Sequence, residues 1–466
     1  MGGFVIYDLE TTGLHPRFDQ ILQFAAIRTD EELNPIEEVE LRGRLLPNLV
    51  PSPSALDITG ARLEDISDPE RPSHFDLTCK VHDTLTQWSP AMFLGFNSIK
   101  FDEEFLRQAF YMCLKQPIYV TNAPGNTRGD VIKLARAAAI LSPQALKVPT
   151  NEQGRRAFAL TGLAKANGID PGRPHEAMSD ARTTLALCRL IREANPELWS
   201  SFMRFANKSA TLNFIRDQEA FGVFETAGGA ADYRCASRIG VSSNDPNAHF
   251  VLDLGHDVER LRGLNHTELI GAIRDERAVW KLKINASPIL TEIWEIESHL
   301  PDGQSEPTIL ELAQSVRSDP EFLRRLNAAA VESEPVWPPS PYVETQIYND
   351  FVTDPDAARC RTFHTLPWDE RVAHAATFQD PRLRRIAQRL IFFERPELMS
   401  EARRAALAAE IERRVCGLVP DAPWLTIPKA LDEIQIILDD SLELTTHHPL
   451  LALKAALSDR LARMVG

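Results

Sequence analysis

The chain has 466 residues, is 44% hydrophobic and 25% charged, and carries a formal net charge of −15. That length exceeds what one hydrophobic core supports, so two to four domains are expected. The acidic balance argues against a surface that grips nucleic acid all over, though not against a local basic groove, and no apolar run is long enough to span a bilayer.

The first element predicted is a short apolar strand, Phe4 to Asp8. Met1-Gly2-Gly3 before it lacks the basic and apolar regions of a signal peptide, and Ile6 stands where N-myristoylation needs Ser or Thr. Gln20 to Arg28 and Val39 to Leu46 continue as strands, so a three-strand meander is expected. Helical periods follow near 75–89, 103–115, 130–141, 160–167 and 176–194, with a further strand at Met92 to Phe96. Asn195-Pro196 ends the last of these helices, closing an α/β domain over 1–195.

Residues 196–342 change character. His249 to Leu254 and Val279 to Asn285 alternate like strands, and Gly228-Gly229 and Asn244-Asp245-Pro246 mark turns. Asp319-Pro320 supplies a cap and an N1 proline for a helix through Val331. The proline-rich stretch Pro335 to Pro341 is a linker candidate. Beyond it, 343–466 is nearly all helix, including the arginine-rich Pro381 to Val415 and a helix from Lys429 to Leu444. Cys79, Cys113, Cys188, Cys235, Cys360 and Cys416 are far apart with no CxxC pair, which suggests neither a zinc site nor a disulfide framework. Cys188 and Cys416 fall in helical patterns as core fillers. A reducing cytoplasm is the expected compartment, without membrane association.

Three acidic segments carry the chemistry. Asp8 and Glu10 are two apart on a strand and share one face, while Leu9 points to the core. Asp102 follows Gly95-Phe96-Asn97 and a short turn, which bring a carboxylate to the sheet edge where the first pair lies. The plain alternative for Asp102 is a helix N-cap. His175 and Asp180 would diverge by ~140° on one helix. Pro174 therefore puts His175 on a loop and Asp180 in the first turns of a helix. Carboxylates gathered this way repel unless cations sit between them, so the set predicts a two-metal site for cutting phosphodiesters. Hard oxygen donors favour Mg²⁺, with Mn²⁺ as a substitute. His175 is suited to act as general base.

These residues resemble the three motifs of the DEDDh 3′→5′ exonucleases: Asp8-x-Glu10, Asp102 and His175-x4-Asp180. The histidine five before the last aspartate separates this class from relatives that use tyrosine. Further segments resemble bacterial exodeoxyribonuclease I: Gln23 to Asp30, Ile58-Thr59-Gly60, Lys165 to Ile169 and Gln346-Ile347-Tyr348-Asn349. The resemblance implies an RNase H-like nuclease domain with a mixed sheet flanked by helices, then an SH3-like α+β domain and an all-helical C-terminal domain. It also implies a monomer that degrades single-stranded DNA from its 3′ end to 5′-mononucleotides in repair and recombination, in partnership with a single-strand-binding protein. One departure concerns the family's substrate arginine: Ala159, after Phe158, stands in its place, with Arg155 and Arg156 the nearby candidates to replace it. Asn126 to Asp130 also lacks the family's aromatic before the aspartate.

Single-strand binding needs cations along a path and aromatic faces for stacking. Glu10, Thr11, Leu14, Asn97, Phe101, Arg107, Arg128 and Phe158 are the expected substrate contacts. Arg136 and Lys147, then Arg204, Lys208 and Arg216, could extend the path. An exoribonuclease of the same superfamily remains open, because recognition of the 2′-OH depends on local shape. A non-catalytic nucleic-acid-binding module and a metal-dependent phosphatase are weaker alternatives. The complete acidic set counts against the first, and the second would usually show more histidines near the acids.

Overall fold

The computed structural model describes residues 2–224, 233–300, 303–336, 338–440 and 448–465. Five strands build the first sheet: β1 (Phe4–Thr11), β2 (Ile21–Thr29), β3 (Pro35–Arg42), β4 (Met92–Gly95) and β5 (Thr127–Asp130), in the order β3-β2-β1-β4-β5. β1, β2 and β3 form the expected antiparallel meander. β4 and β5 run parallel to β1, so the sheet is mixed.

Sequence and position agree strand by strand. β2 is buried along nearly its whole length, as a near-continuous apolar run requires when both faces are covered. β3 lies at the edge and exposes Glu37, Glu38 and Glu40, charges that discourage further strand pairing. It begins and ends four residues earlier than expected. Leu45 and Leu46 suggested a longer strand, but Leu45 packs against a cluster formed with the C-terminal helices. β5 was not anticipated, because four residues carrying an arginine and an aspartate show no apolar run. The helix Pro53–Thr59, capped by Ser52 and ended by Gly60 at φ 66°, was also missed; only a left-handed residue closes that turn cheaply.

A second, wholly antiparallel sheet follows: β6 (Phe221–Val223), β7 (Arg234–Val241), β8 (Ala248–Asp253), β9 (Val279–Lys283) and β10 (Leu290–Thr291), in the order β10-β6-β7-β8-β9. The two strands expected in this region correspond to β8 and β9; the other three are too short or too polar to announce themselves. Asp319 caps the helix Pro320–Glu332, with its proline at the first turn. The glycine turn at 228–229 lies outside the described residues. From Asp354 onward every described element is helical. The helix expected over 429–444 is Ile427–Asp440, and 441–444 lie outside the described residues.

The two faces of the first sheet are covered by helices of the same domain, and different later parts of the chain extend the two clusters. Phe4 and Ile6 face the helix Ala177–Ala194, in a cluster that continues through Trp199 and Phe202 to Phe250, Leu252, Phe322 and Leu326. Val5, Tyr7 and Leu9 point the other way, with Phe24, Phe93 and Phe105, and meet Phe363, Phe378, Leu383 and Ile386. Fully burying each such aromatic contributes about 1.5–3 kcal/mol. Polar ties follow the same seams. Arg128 Nη2 donates to Asn285 O at 2.9 Å and Lys133 Nζ to Ala286 O at 2.6 Å. Gln108 Nε2 donates to Glu344 O at 2.9 Å and Tyr111 OH to Val343 O at 3.2 Å. Glu344 in turn accepts from Arg389 at 2.9 Å and Arg414 at 2.6 Å.

Gly129 sits where β5 meets Phe202. A Cβ there would lie 2.4 Å from the Phe202 ring and 2.9 Å from Leu94 and Met92. Gly129→Ala is therefore expected to destabilise the chain by about 1–3 kcal/mol, the usual cost of overpacking. Urea unfolding followed by tryptophan fluorescence measures this, and an unchanged midpoint would contradict the packing described.

Candidate active site

β1 places Asp8 and Glu10 on the face that carries Phe4 and Ile6, beyond the point where the helices stop covering it. Asp102 is the first residue of the helix Asp102–Met112. It is not the N-cap: Phe101 holds that position, without a side-chain cap. Asp102 is presented by a turn in which Asn97 adopts φ 62°. Asp130 fixes that turn, accepting from Asn97 N at 2.8 Å and Ile99 N at 3.3 Å. His175 lies on the loop before the helix Ala177–Ala194, at φ 61°, and Asp180 in that helix's first turn.

One cleft of about 510 Å³ is bordered by Asp8, Glu10, Asp102, His175 and Asp180. Thr11, Leu14, Asn97, Phe101 and Phe158 border it too. The ligand atoms of Glu10, His175 and Asp180 all lie within 4.8 Å of one another; Asp8 and Asp102 stand outside this tight group. They act on it electrostatically. Burial, then Asp102, Asp180 and Glu10, push the Asp8 carboxyl well above the ordinary carboxylate range. Asp102 is raised by burial and by the charges of Asp130, Glu103 and Glu10, against an opposing backbone hydrogen bond. Burial and Asp180 push Glu10 up to about 8, although Arg42 works in the opposite direction. Asp180 is raised by burial, with His175 opposing.

The donor set fits a hard divalent cation. It offers four carboxylates, one imidazole and no thiol, and no lysine or arginine is ion-paired to Asp8, Asp102 or Asp180 among the described residues. Such a set is costly when ionised and empty of cations, and favourable when a cation divides the charges.

Arg107 and Arg128 do not border this cleft. They line an adjoining groove of about 590 Å³ with Lys100, Lys133, Arg136, Lys281 and Lys283, which meets the cleft at Asn97 and Ile132. Lys147, Arg204, Lys208 and Arg216 line neither. Arg204 stacks on Phe205 and Phe214 instead, and Arg216 pairs with Asp217 at 3.0 Å. Neither Arg155 nor Arg156 replaces the arginine missing at Ala159. Both stay outside the cleft, with Arg156 donating to Ala139 O, while Ala159 itself borders it. Arg136, stacked 5.6 Å from the Phe158 ring centroid, is the guanidinium associated with that wall.

Sequence reasoning missed the residue behind this arrangement. Glu103, 1% exposed, sits beside Asp102 but faces inward. Its Oε1 accepts from Tyr7 OH at 2.8 Å, and its Oε2 from Thr121 at 2.8 Å, Arg128 at 2.7 Å and Arg107 at 3.1 Å. Burial opposes its charge, but Arg128 and Arg107, with the hydroxyl bonds, hold its carboxyl below the ordinary range. Tyr7 adjoins Asp8 and Glu103 adjoins Asp102, so one buried anion braces both of these acidic segments. An acidic i, i+4 pair with Arg107 was the available signal, yet such pairs are usually solvated.

Two outcomes follow from these charges. Glu103→Gln leaves the buried Arg128 without an anion and Arg107 with Glu104 alone, and is expected to cost about 3–5 kcal/mol of stability; a loss below 1 kcal/mol in denaturant titration would contradict the network's role. Glu10 ionises near 8 in the folded state against 4.5 ordinarily, so its contribution to stability is intact below about 4.5 and lost as pH rises through about 8. Without metal, the chain should melt at a lower temperature at pH 9 than at pH 6. Mg²⁺ should bind with proton release and with affinity that rises up to about pH 8, as calorimetry in two buffers of different ionisation enthalpy reports. Pure pH independence of both quantities would refute the electrostatic account.

The chain is similar to known exonucleases. An exonuclease family profile matches residues 5–188. Exodeoxyribonuclease I of Escherichia coli (strain K12) is 28% identical over 400 residues, covering 82% of this chain and 83% of that protein. Exodeoxyribonuclease I of Haemophilus influenzae is 27% identical over 405 residues, covering 82% and 84%. The crystal structure of E. coli Exonuclease I in complex with a dA16 oligonucleotide shares the fold, with a TM-score of 0.87 over 98% of this chain and 99% of that one, at 24% identity. The similarity runs from an exonuclease domain at residues 5–188 on into the later units, so over most of its length this chain resembles the bacterial exodeoxyribonucleases I.

Proposed function

We propose that the chain is a single-strand-specific 3′→5′ exodeoxyribonuclease that hydrolyses the terminal phosphodiester and releases 5′-mononucleotides in DNA repair and recombination. One observation carries this reading: the acidic cleft opens through Asn97 and Ile132 into a groove lined by seven lysines and arginines. An anionic strand lying in that groove delivers its end to the carboxylates. Similarity to exodeoxyribonuclease I of Escherichia coli supports DNA as the substrate.

Asp8, Glu10, Asp102 and Asp180 hold two Mg²⁺ ions in this reading, with Mn²⁺ as a substitute. Bound there, the ions supply charge neutralisation at the phosphate and a lowered pKa for a bound water. His175, exposed at the mouth of the cleft, takes the proton from the attacking water. Its loop position leaves it free to turn, while Asp180 is held by a helix. Thr11 and Leu14 border the terminal sugar and base, and Phe101 and Phe158 offer stacking faces. Glu10 reaches the terminal sugar, and Asn97 lies at the junction with the groove. Arg107 and Arg128 are already committed to Glu103. They serve as fixed positive charge, and Lys281 and Lys283, paired with Glu334 at 2.9 Å and Asp245 at 3.4 Å, add cations on the opposite wall.

Three functional units follow in this reading: a DEDDh exonuclease domain over 1–195, an SH3-like domain over 196–342 and a helical domain over 343–466. The chain acts as a monomer, and a single-strand-binding protein is its natural partner because both bind the same strand. Among the described residues, no helix is long and apolar enough to cross a membrane, in keeping with cytoplasmic work.

Incubation with 5′-labelled single-stranded DNA, duplex DNA and RNA, in Mg²⁺ or EDTA, tests the proposal. The single strand should shorten from its 3′ end in Mg²⁺ only. Asp180→Ala should lower turnover on the order of 10²–10³-fold, the scale of losing one charge-stabilising group, while strand binding by fluorescence anisotropy persists. Degradation of RNA in preference to DNA would overturn the substrate, and activity in EDTA the metal site.

A further inference from the structure

Glu10 and His175 border two cavities. On one side is the cleft with Leu14, Phe96 and Phe158 that joins the basic groove. On the other is a pocket of about 300 Å³, bounded by Gln23 and Arg42 at the sheet edge, by Thr59 to Arg71 in part, and by the turn at Arg173. That volume is at the lower end for small-molecule sites, about 300–1,000 Å³.

Three guanidinium groups line the second pocket: Arg42, Arg71 and Arg173. Arg42 is committed to Glu40 at 2.8 Å and Glu176 at 3.3 Å. Arg71 and Arg173 make no side-chain hydrogen bond or ion pair among the described residues. With Glu176 already paired, the two unpaired cations stand against Asp65 and the site's own Glu10. Arginines in a concave, polar pocket match the bidentate geometry of a phosphate.

An enzyme that shortens a strand from its end generates one nucleoside 5′-monophosphate per cycle. The product forms on the far side of the cut, away from the remaining strand. That strand still fills the cleft and groove, so the product cannot leave the way the strand came in. We propose that the pocket at Arg71 and Arg173 is the release site for the nucleoside 5′-monophosphate, which it holds by its phosphate after departure from the cations. The proposal rests on the exonuclease reading and adds a second, metal-independent binding site to it.

The probe is dTMP, compared with thymidine. In EDTA the cation site cannot hold a phosphate, so calorimetry on the full chain reads the pocket alone. The unsubstituted chain should bind dTMP at least tenfold more tightly than thymidine under those conditions. Arg71→Ala/Arg173→Ala should abolish the difference, and Arg71→Lys/Arg173→Lys should recover part of it. In Mg²⁺, the inhibition constant of dTMP against oligonucleotide digestion should rise at least fivefold in the alanine variant. Absence of dTMP binding in EDTA, or equal binding by both proteins, would show that the product is held only by the cations and would overturn the release site. That result with digestion intact leaves the exonuclease reading standing. Failure of the unsubstituted chain to shorten any strand in Mg²⁺ would remove that reading and the release site with it.

Discussion

Mutual repulsion among Asp8, Glu10, Asp102 and Asp180 is the constraint around which the nuclease domain is arranged. Each of the four has its carboxyl raised, with burial the largest cause in every case. A fold that merely sought stability would scatter such groups into solvent. Here β1, one helix N-terminus and one helix first turn converge on a single cleft, so each must be held against the force that pushes it outward. The contrast with Glu103 is instructive. It is more deeply buried than any of the four, yet stays ionised because two guanidinium groups and two hydroxyls compensate it. The acids with compensation are structural, and those without it face the cleft.

Rigidity comes from the two faces of the first sheet. One face is sealed by helices of the nuclease domain and, beyond Phe202, by the unit that carries the second sheet. The other is covered by the helices His74–Gln87 and Asp102–Met112, and their cluster continues into helices contributed after residue 354. Neither later unit is an appendage, because each shares a continuous apolar cluster with the helices that cover the sheet carrying Asp8 and Glu10. The same docking creates the basic groove: Lys281 and Lys283 come from β9 and oppose Arg107, Arg128 and Lys133 only because Asn285 and Ala286 are tied to the nuclease domain. Stability and strand binding therefore share an interface.

Much of this was legible in the residues themselves. Period-2 spacing put Asp8 and Glu10 on one face, and Pro174 separated His175 from the helix that holds Asp180. What stayed hidden depended on long-range partners. Asp130 looked like one more acidic residue, yet it accepts two backbone amides that shape the turn before Asp102. β5 and β7 carry too many polar residues to show a strand period, and they are strands because neighbours supply the hydrogen bonds. β3 ended early because Leu45 had a better place to pack than the sheet edge. The substrate path was the least legible, since a cation's side of the molecule follows from how the units dock. That is why Arg204 and Arg216 were plausible by sequence and lie away from the groove.

The most direct measurement is anomalous diffraction from crystals soaked in Mn²⁺. Two anomalous peaks bounded by the carboxylates of Asp8, Glu10, Asp102 and Asp180 are the result expected if cations make this crowding tolerable. A soaked crystal with no peak in the cleft, or with peaks only at other surface acids, would contradict the account at its root.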